Sequence, residues 1–121
     1  MAELNFLDDM IAHDNHISPA VLAERLRISR IELASALGLS RDAVSKSGRA
    51  GAPKTQSRMR DMIEIINRIL PWAGSELAAF AWYRSQSLPS FGDKTAEELV
   101  SEGKAEAVKT YLGRIAEGGY A

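Results

Sequence analysis

The stretch RIELASALGLSRDAV, residues 30–44, decides the fold class, because its small and apolar residues have the spacing of two short helices that cross. Ala34 lies four residues after Arg30 and four residues before Gly38. Helices that cross at a steep angle need a small residue at the contact, and glycine accepts the left-handed turn between them. The stretch predicts a helix, a turn and a second helix, with Val44 packing the second helix against the first.

Further helices are indicated by start signals and apolar spacing along the rest of the chain. From about Thr55 to Leu70 the apolar residues follow one face of a long helix, and Pro71 is expected to end it or to lie just past its end. Strand signals are nearly absent. The chain is therefore predicted to be all-α with about seven helices. The start signals are an N-cap with proline at Ser18 and Pro19, and capping boxes at Ser29 with Glu32 and Thr95 with Glu98.

The chain is expected to divide into three regions: an arm at 1–17, a helix-turn-helix region at 18–54 and a helical region at 55–121. SGRAGAPK, residues 47–54, is the candidate hinge. In the last region a helix is expected near Ser75 to Arg84, and SQSLPSFGDK, residues 85–94, is expected to be an ordered turn. A short helix follows Thr95, and Gly103 separates it from the last helix, whose apolar face is Ala105, Val108, Leu112 and Ile115.

The composition is that of a soluble globular domain, with 45% hydrophobic and 26% charged residues among 121. No run approaches the ~20 apolar residues that a membrane span needs, and the acidic N-terminus does not resemble a secretory signal. With no cysteine, disulfides and thiolate metal sites are excluded. These features favour a cytoplasmic location.

The net charge of −1 is unevenly distributed along the chain. Residues 1–17 carry −4, residues 18–60 hold nine Lys or Arg against three acids and carry +6, and residues 61–121 carry −3. A basic block between two acidic ones indicates that the middle of the chain meets a polyanion.

The stretch at 30–44 resembles a helix-turn-helix, in which the second helix lies in the major groove of DNA. That helix is expected from Ser40 to about Lys46, and Arg41 in it is suited to bidentate recognition of guanine. One departure is Ser47, where the pattern usually has an apolar residue. The residues expected to face base edges are Ser40, Arg41, Asp42, Ser45 and Lys46, and those expected to anchor phosphates are Arg30, Arg49, Lys54 and Arg58.

The C-terminal part, residues 79–121, resembles the toxin-binding domain of Xre/MbcA/ParS-type antitoxins. The shared features are a tryptophan before a turn, an acid-capped short helix, a glycine and a final helix. The sequence departs from the family at Asp93, where a second glycine is usual, and at Ala96, where a proline is usual. The residues that carry the resemblance are Trp82, Leu88, Phe91, Gly92, Lys94, Thr95, Glu98, Leu99, Gly103, Val108, Leu112, Arg114, Ile115 and Gly118.

This resemblance implies a homodimer with a helix-turn-helix bundle and a small helical domain for dimerisation and toxin binding. The implied partner is a RES-domain toxin that depletes or uses NAD, and the implied role includes repression of the protein's own operon. The two glycines near the end, Gly118 and Gly119, are expected to release the chain from the helix, so that the ring of Tyr120 can enter the toxin's cleft. The residues expected to bind the toxin are Tyr83, Arg84, Arg114, Gly118, Gly119, Tyr120 and Ala121.

Catalytic and metal sites are not indicated by the sequence. His13 and His16 lie three residues apart with Asp14 between them, but a metal site needs a further ligand and a buried surrounding shell. No phosphate-binding glycine loop or nucleophile elbow is present, so neither an enzyme nor a cofactor is expected.

Two alternatives to the antitoxin hypothesis remain open at this point. The first is a stand-alone helix-turn-helix repressor whose C-terminal half only dimerises. The second is a partner-binding module whose helix-turn-helix has lost contact with DNA, as Ser47 permits. Every reading with operator binding requires a dimer, because paired recognition helices span half-sites about 34 Å apart.

Overall fold

The computed structural model describes residues 16–45 and 49–118. Over these ranges the chain forms six α-helices and one short β-hairpin, which confirms the all-α prediction. Two further 3-10 turns span Arg41–Val44 and Arg49–Gly51, and a third, Pro89–Phe91, lies inside the hairpin. The elements are α1 (Pro19–Leu26), α2 (Arg30–Leu37), α3 (Pro53–Ala73), α4 (Glu76–Ser85), β1 (Ser87–Leu88), β2 (Lys94–Thr95), α5 (Ala96–Ser101) and α6 (Ala105–Gly118).

The predicted helix starts are confirmed by side-chain caps. Ser18 accepts a hydrogen bond from the Val21 N–H at the start of α1. Ser29 and Thr95 each form a complete capping box, in which the glutamate three residues later bonds back to the capping residue's N–H. At the other end of α2, Gly38 adopts the left-handed conformation with φ +69°, as the sequence predicts.

The prediction that Pro71 ends the long helix is wrong, because α3 continues to Ala73. A proline in the last turn of a helix removes only one intrahelical hydrogen bond, so the helix tolerates it there. The helix instead ends at Gly74, which adopts φ +90° and donates its N–H to the carbonyl of Leu70.

The segment at residues 85–94 contains strands as well as the expected turn. Ser87 pairs with Thr95 and Leu88 with Lys94 in an antiparallel hairpin. Strands of two residues are too short to leave an alternating apolar pattern, so sequence periodicity could not reveal them. Asp93, which replaces the glycine of the family pattern, adopts φ +67°. Aspartate tolerates this left-handed conformation better than most residues.

The regions on either side of the candidate hinge share one hydrophobic core. Leu33 and Leu37 of α2 belong to the same buried cluster as Ile63 of α3 and Val100 of α5. Gly38 lies so close to α5 that a Cβ added to it would be 2.5 Å from the Cβ of Ser101. The two regions therefore pack on each other. The division of the chain at residues 47–54 stays a prediction, and it concerns function rather than packing.

The predicted N-terminal arm lies outside the described residues except for its last two positions. Of these, Ile17 is buried, and the Gln56 side chain bonds both its N–H and its carbonyl at 2.8 and 2.9 Å. Among the helices of the described ranges, none has the length and apolar character to cross a bilayer.

Candidate nucleic-acid and toxin interfaces

The predicted recognition helix is shorter than expected. Instead of a helix from Ser40 to about Lys46, the structure has a single 3-10 turn, Arg41–Val44, and Ser40 makes no side-chain cap hydrogen bond. Val44 is buried, as predicted, and anchors this turn against the core. Without an apolar residue at position 47 to bury, nothing in the local sequence extends the anchored face beyond this single turn.

Four of the predicted DNA-binding residues line one surface depression of about 310 Å³, which we call the base-edge depression. A fifth lining residue, Ile31, was not predicted. The Arg30 Nη1 donates to the carbonyl of Val44 at 3.4 Å, which joins the start of α2 to the 3-10 turn. The lining residues are Arg30, Ile31, Arg41, Asp42 and Ser45.

The other predicted DNA contacts are placed differently. Ser40 and Lys54 are exposed and line a second depression, of about 390 Å³, with Gly38 and Leu39. Lys46 and the side chain of Arg49 lie outside what the structure describes. Arg58, expected to anchor a phosphate, donates from Nη1 to the Leu37 carbonyl at 2.6 Å and so holds the end of α2.

The prediction that Tyr83 contacts a toxin is wrong for this conformation, because its side chain is fully buried. Its hydroxyl donates to the carbonyl of Ala36 at 2.9 Å, and its ring stacks on Phe80. Burial raises the pKa of the Tyr83 phenol far above its ordinary value, because the phenolate would be desolvated. Tyr83 therefore belongs to the core.

Arg84, the next predicted residue, remains partly exposed. Its Nε bonds the Glu97 carboxylate at 2.9 Å, and its guanidinium lies 5.5 Å from the centre of the Phe80 ring. These contacts hold Arg84 across α4 and α5 and leave about a third of its side chain open to a partner.

A groove of about 470 Å³ runs between the Pro89–Phe91 turn and α6, and we call it the α6 groove. Its floor includes Phe91 and Tyr111, whose rings meet edge to face at 5.7 Å and 80°. Arg114 is the predicted toxin-binding residue that lines it. The full lining is Ser90, Phe91, Glu106, Ala107, Thr110, Tyr111 and Arg114.

The end of the predicted toxin-binding surface lies at the limit of the described chain. The last helix ends at Gly118, and Gly119, Tyr120 and Ala121 lie outside the described residues. The α6 groove was not predicted from the sequence, although two features of the sequence point to it. Tyr111 lies one helical turn before Arg114, and Phe91 precedes the turn glycine Gly92.

Beside the α6 groove, the nearly buried Lys109 forms an ion cluster between α3 and α6, in which Asp61 and Glu64 are partly exposed and Glu106 is largely exposed. Its Nζ lies 2.8 Å from Asp61, 2.5 Å from Glu64 and 3.1 Å from Glu106. Burial alone would lower the pKa of Lys109, but the hydrogen bonds that its ammonium donates to the three carboxylates outweigh this effect, and the pKa is raised. The lysine stays charged at neutral pH and pins the two helices together.

Groups of side chains suited to a metal ion are absent from residues 16–45 and 49–118. His16 is exposed in that range, whereas His13 and Asp14 lie outside it.

The C-terminal region is similar to a known protein family. Residues 71–118 match the antitoxin Xre/MbcA/ParS C-terminal toxin-binding domain. The match covers 48 of the 121 residues, so the similarity is one of the C-terminal region. The match begins within the last turn of α3 and includes α4, the hairpin, α5 and α6. Searches of curated proteins and of solved structures returned no match.

The matched region, which we call the C-terminal domain, contains the candidate toxin contacts described above. The α6 groove lies entirely within it, and so do Arg84 and Arg114. The Lys109 cluster joins this domain to α3 upstream of the match, through Asp61 and Glu64. The Tyr83 hydroxyl joins it to α2. The domain is therefore fixed to the helices that precede it.

Proposed function

We propose that this protein is the antitoxin of a type II toxin–antitoxin pair and neutralises a RES-type toxin that consumes NAD. The observation that carries the proposal is the match of residues 71–118 to the Xre/MbcA/ParS antitoxin C-terminal toxin-binding domain. The protein acts by occupying surfaces of other macromolecules in the cytoplasm, as a regulator and not as an enzyme, and it needs no cofactor or metal.

The toxin contacts are proposed to lie along α6 and at the chain end. Arg84 and Arg114 present cationic groups, and the α6 groove beside Arg114 is open enough to receive a side chain of the toxin. Gly118, Gly119, Tyr120 and Ala121 extend this surface into the toxin's active-site cleft. Tyr83 is left out of this surface because it is buried.

The second part of the proposal is autoregulation of the operon by a homodimer. Residues 18–54 act as the DNA-binding region, and residues 55–121 provide dimerisation and toxin binding. Support comes from the charge of +6 over residues 18–60 and from the base-edge depression, which holds Arg30, Arg41, Asp42 and Ser45 at one place. Ser40, Lys46, Arg49 and Lys54 complete the proposed DNA surface.

Co-purification with the RES-domain product of a neighbouring gene tests the first part. We expect a stable complex, and NAD hydrolysis by the toxin should stop when the two proteins are mixed. A complex with undiminished NAD hydrolysis would contradict neutralisation, and the absence of any complex would contradict the antitoxin assignment.

A gel shift with the DNA upstream of the gene, without toxin, tests autoregulation. We expect a specific complex whose affinity falls steeply with salt. Binding to the toxin without binding to this DNA would favour the partner-binding module. Binding to the DNA without any toxin would favour the stand-alone repressor.

A further inference from the structure

Ile31 is an exposed apolar residue in a charged environment. It is the second residue of α2, and 55% of its surface is accessible. It lines the base-edge depression with Arg30, Arg41, Asp42 and Ser45. A single exposed apolar side chain is common on protein surfaces, so the exposure alone indicates nothing. Position 31 is informative because of the chemical character of the residues around it.

The base-edge depression combines three kinds of group that match the edges of DNA bases. Arginine donates two hydrogen bonds to guanine, a carboxylate accepts from the amino group of cytosine, and an apolar side chain contacts the methyl group of thymine. Asp42 would repel a phosphate, so this mixture suits base edges better than it suits the sugar-phosphate backbone. Ile31 is the apolar member of the set.

Because the 3-10 turn is short, the proposed DNA-binding surface needs a contribution from α2. Arg41–Val44 has four residues, and Val44 is buried, so few of its side chains can extend towards DNA. The start of α2 lies next to this turn, because Arg30 bonds the Val44 carbonyl. A side chain at position 31 therefore stands on the same surface as Arg41 and Asp42.

We propose that Ile31 contacts the C5-methyl group of a thymine in the major groove and helps to determine which operator is bound. This inference rests on the proposed DNA-binding function. Burial of one methyl group against an isoleucine corresponds to roughly a fourfold change in affinity per half-site.

The test uses upstream DNA in which every thymine is replaced by uracil, which lacks only that methyl group. Binding of the full chain is measured by fluorescence anisotropy on both DNAs at one salt concentration. We expect the wild type to bind the uracil DNA roughly fourfold or more weakly. We call the affinity for the thymine DNA divided by that for the uracil DNA the thymine-to-uracil ratio. Ile31→Ala should lower this ratio. Val21→Ala, at an exposed apolar position of α1, is the matched control and should keep the full ratio.

The outcomes separate this inference from the function on which it rests. Equal thymine-to-uracil ratios for the wild type and Ile31→Ala would overturn the inference while leaving DNA binding in place. Failure of the wild type to bind either DNA would overturn the DNA-binding function as well. If Ile31→Ala weakened the dimer or the toxin complex and left the ratio unchanged, Ile31 would belong to a protein interface and the inference would fail.

Discussion

The hydroxyl of Tyr83 donates a hydrogen bond to the carbonyl of Ala36 at 2.9 Å, across 47 residues of sequence. The last four carbonyls of a helix have no partner within it, and here all four are satisfied. The Ala34 and Ser35 carbonyls accept from the Leu39 and Gly38 N–H groups. The carbonyls of Ala36 and Leu37 accept from Tyr83 and Arg58. The end of α2 is thus capped from α3 and from α4.

Tyr83→Phe should lower the free energy of unfolding by about 1–2 kcal/mol at pH 7, because the Ala36 carbonyl loses its partner. Burial raises the pKa of Tyr83 in the folded state, so the wild type should also lose stability as the pH rises above the ordinary value of about 10. The variant should lack the part of this alkaline loss that is due to Tyr83, whereas the part due to Lys109, whose pKa is also raised, should remain. Urea unfolding between pH 7 and 11 measures both effects.

Tyr111→Phe is the matched control for Tyr83→Phe. Tyr111 lines the open α6 groove, and the variant retains Tyr83. It should therefore keep the alkaline loss of stability. Identical pH profiles for the wild type and Tyr83→Phe would show that Tyr83 is not the group responsible.

Gly38→Ala should destabilise the protein by roughly 3 kcal/mol, from left-handed strain together with a clash against α5. The added Cβ would lie 2.5 Å from the Ser101 Cβ and 2.8 Å from the Ser101 Cα, so the backbone must shift. Gly74→Ala is the control, because Gly74 also has positive φ but no atom lies within 4 Å of its added Cβ. It should cost only about 1 kcal/mol. Equal costs for the two variants in thermal unfolding would refute the close packing of α2 on α5.

Lys109→Met should lower the free energy of unfolding by about 2 kcal/mol, because three neighbouring carboxylates lose their common cation. Lys104→Met removes an exposed lysine that pairs with the exposed Glu102 at 3.4 Å, and it should cost at most a few tenths of a kcal/mol. Chemical denaturation of both variants measures the difference. A loss for Lys109→Met no greater than for Lys104→Met would mean that the cluster does not join α3 to α6.

Arg41→Ala should weaken binding to the upstream DNA by tenfold or more and leave binding to unrelated DNA nearly unchanged, because a base contact carries the specificity. Lys54→Ala should weaken binding to both DNAs alike and reduce the salt slope by about one, as expected for a phosphate contact. Salt titrations of the two variants measure this contrast. If Arg41→Ala behaved like Lys54→Ala, the assignment of Arg41 to base recognition would be wrong.

Deletion of residues 118–121 should abolish neutralisation of the toxin and leave the fold and the dimer intact. The last core residue of α6 is Leu112, so the deletion removes no buried contact that the structure describes. Growth under toxin co-expression measures protection. Glu117→Ala, on the exposed end of α6, is the control and should protect fully. Full protection by the truncated chain would remove the C-terminal end from the mechanism.

The candidate DNA-binding residues that the structure brings together are close to one another in the sequence. Arg30, Arg41, Asp42 and Ser45 lie within sixteen residues, and a single turn after Gly38 is enough to bring them together. Whether a neighbouring helix covers the Tyr83 side chain depends on residues far away in the chain. Its burial under α2 could therefore not be inferred from the helical pattern of α4.

The sequence by itself determined where α1, α2 and α5 begin and that the chain turns at Gly38, because the caps at Ser18, Ser29 and Thr95 and the turn at Gly38 act over at most four residues. Only the tertiary structure decided that Tyr83 is buried, that Lys109 gathers three carboxylates and that Ile31 joins the base-edge depression. These features depend on which helix faces pack together. Burial of the whole core, rather than local hydrogen bonds, determines that packing.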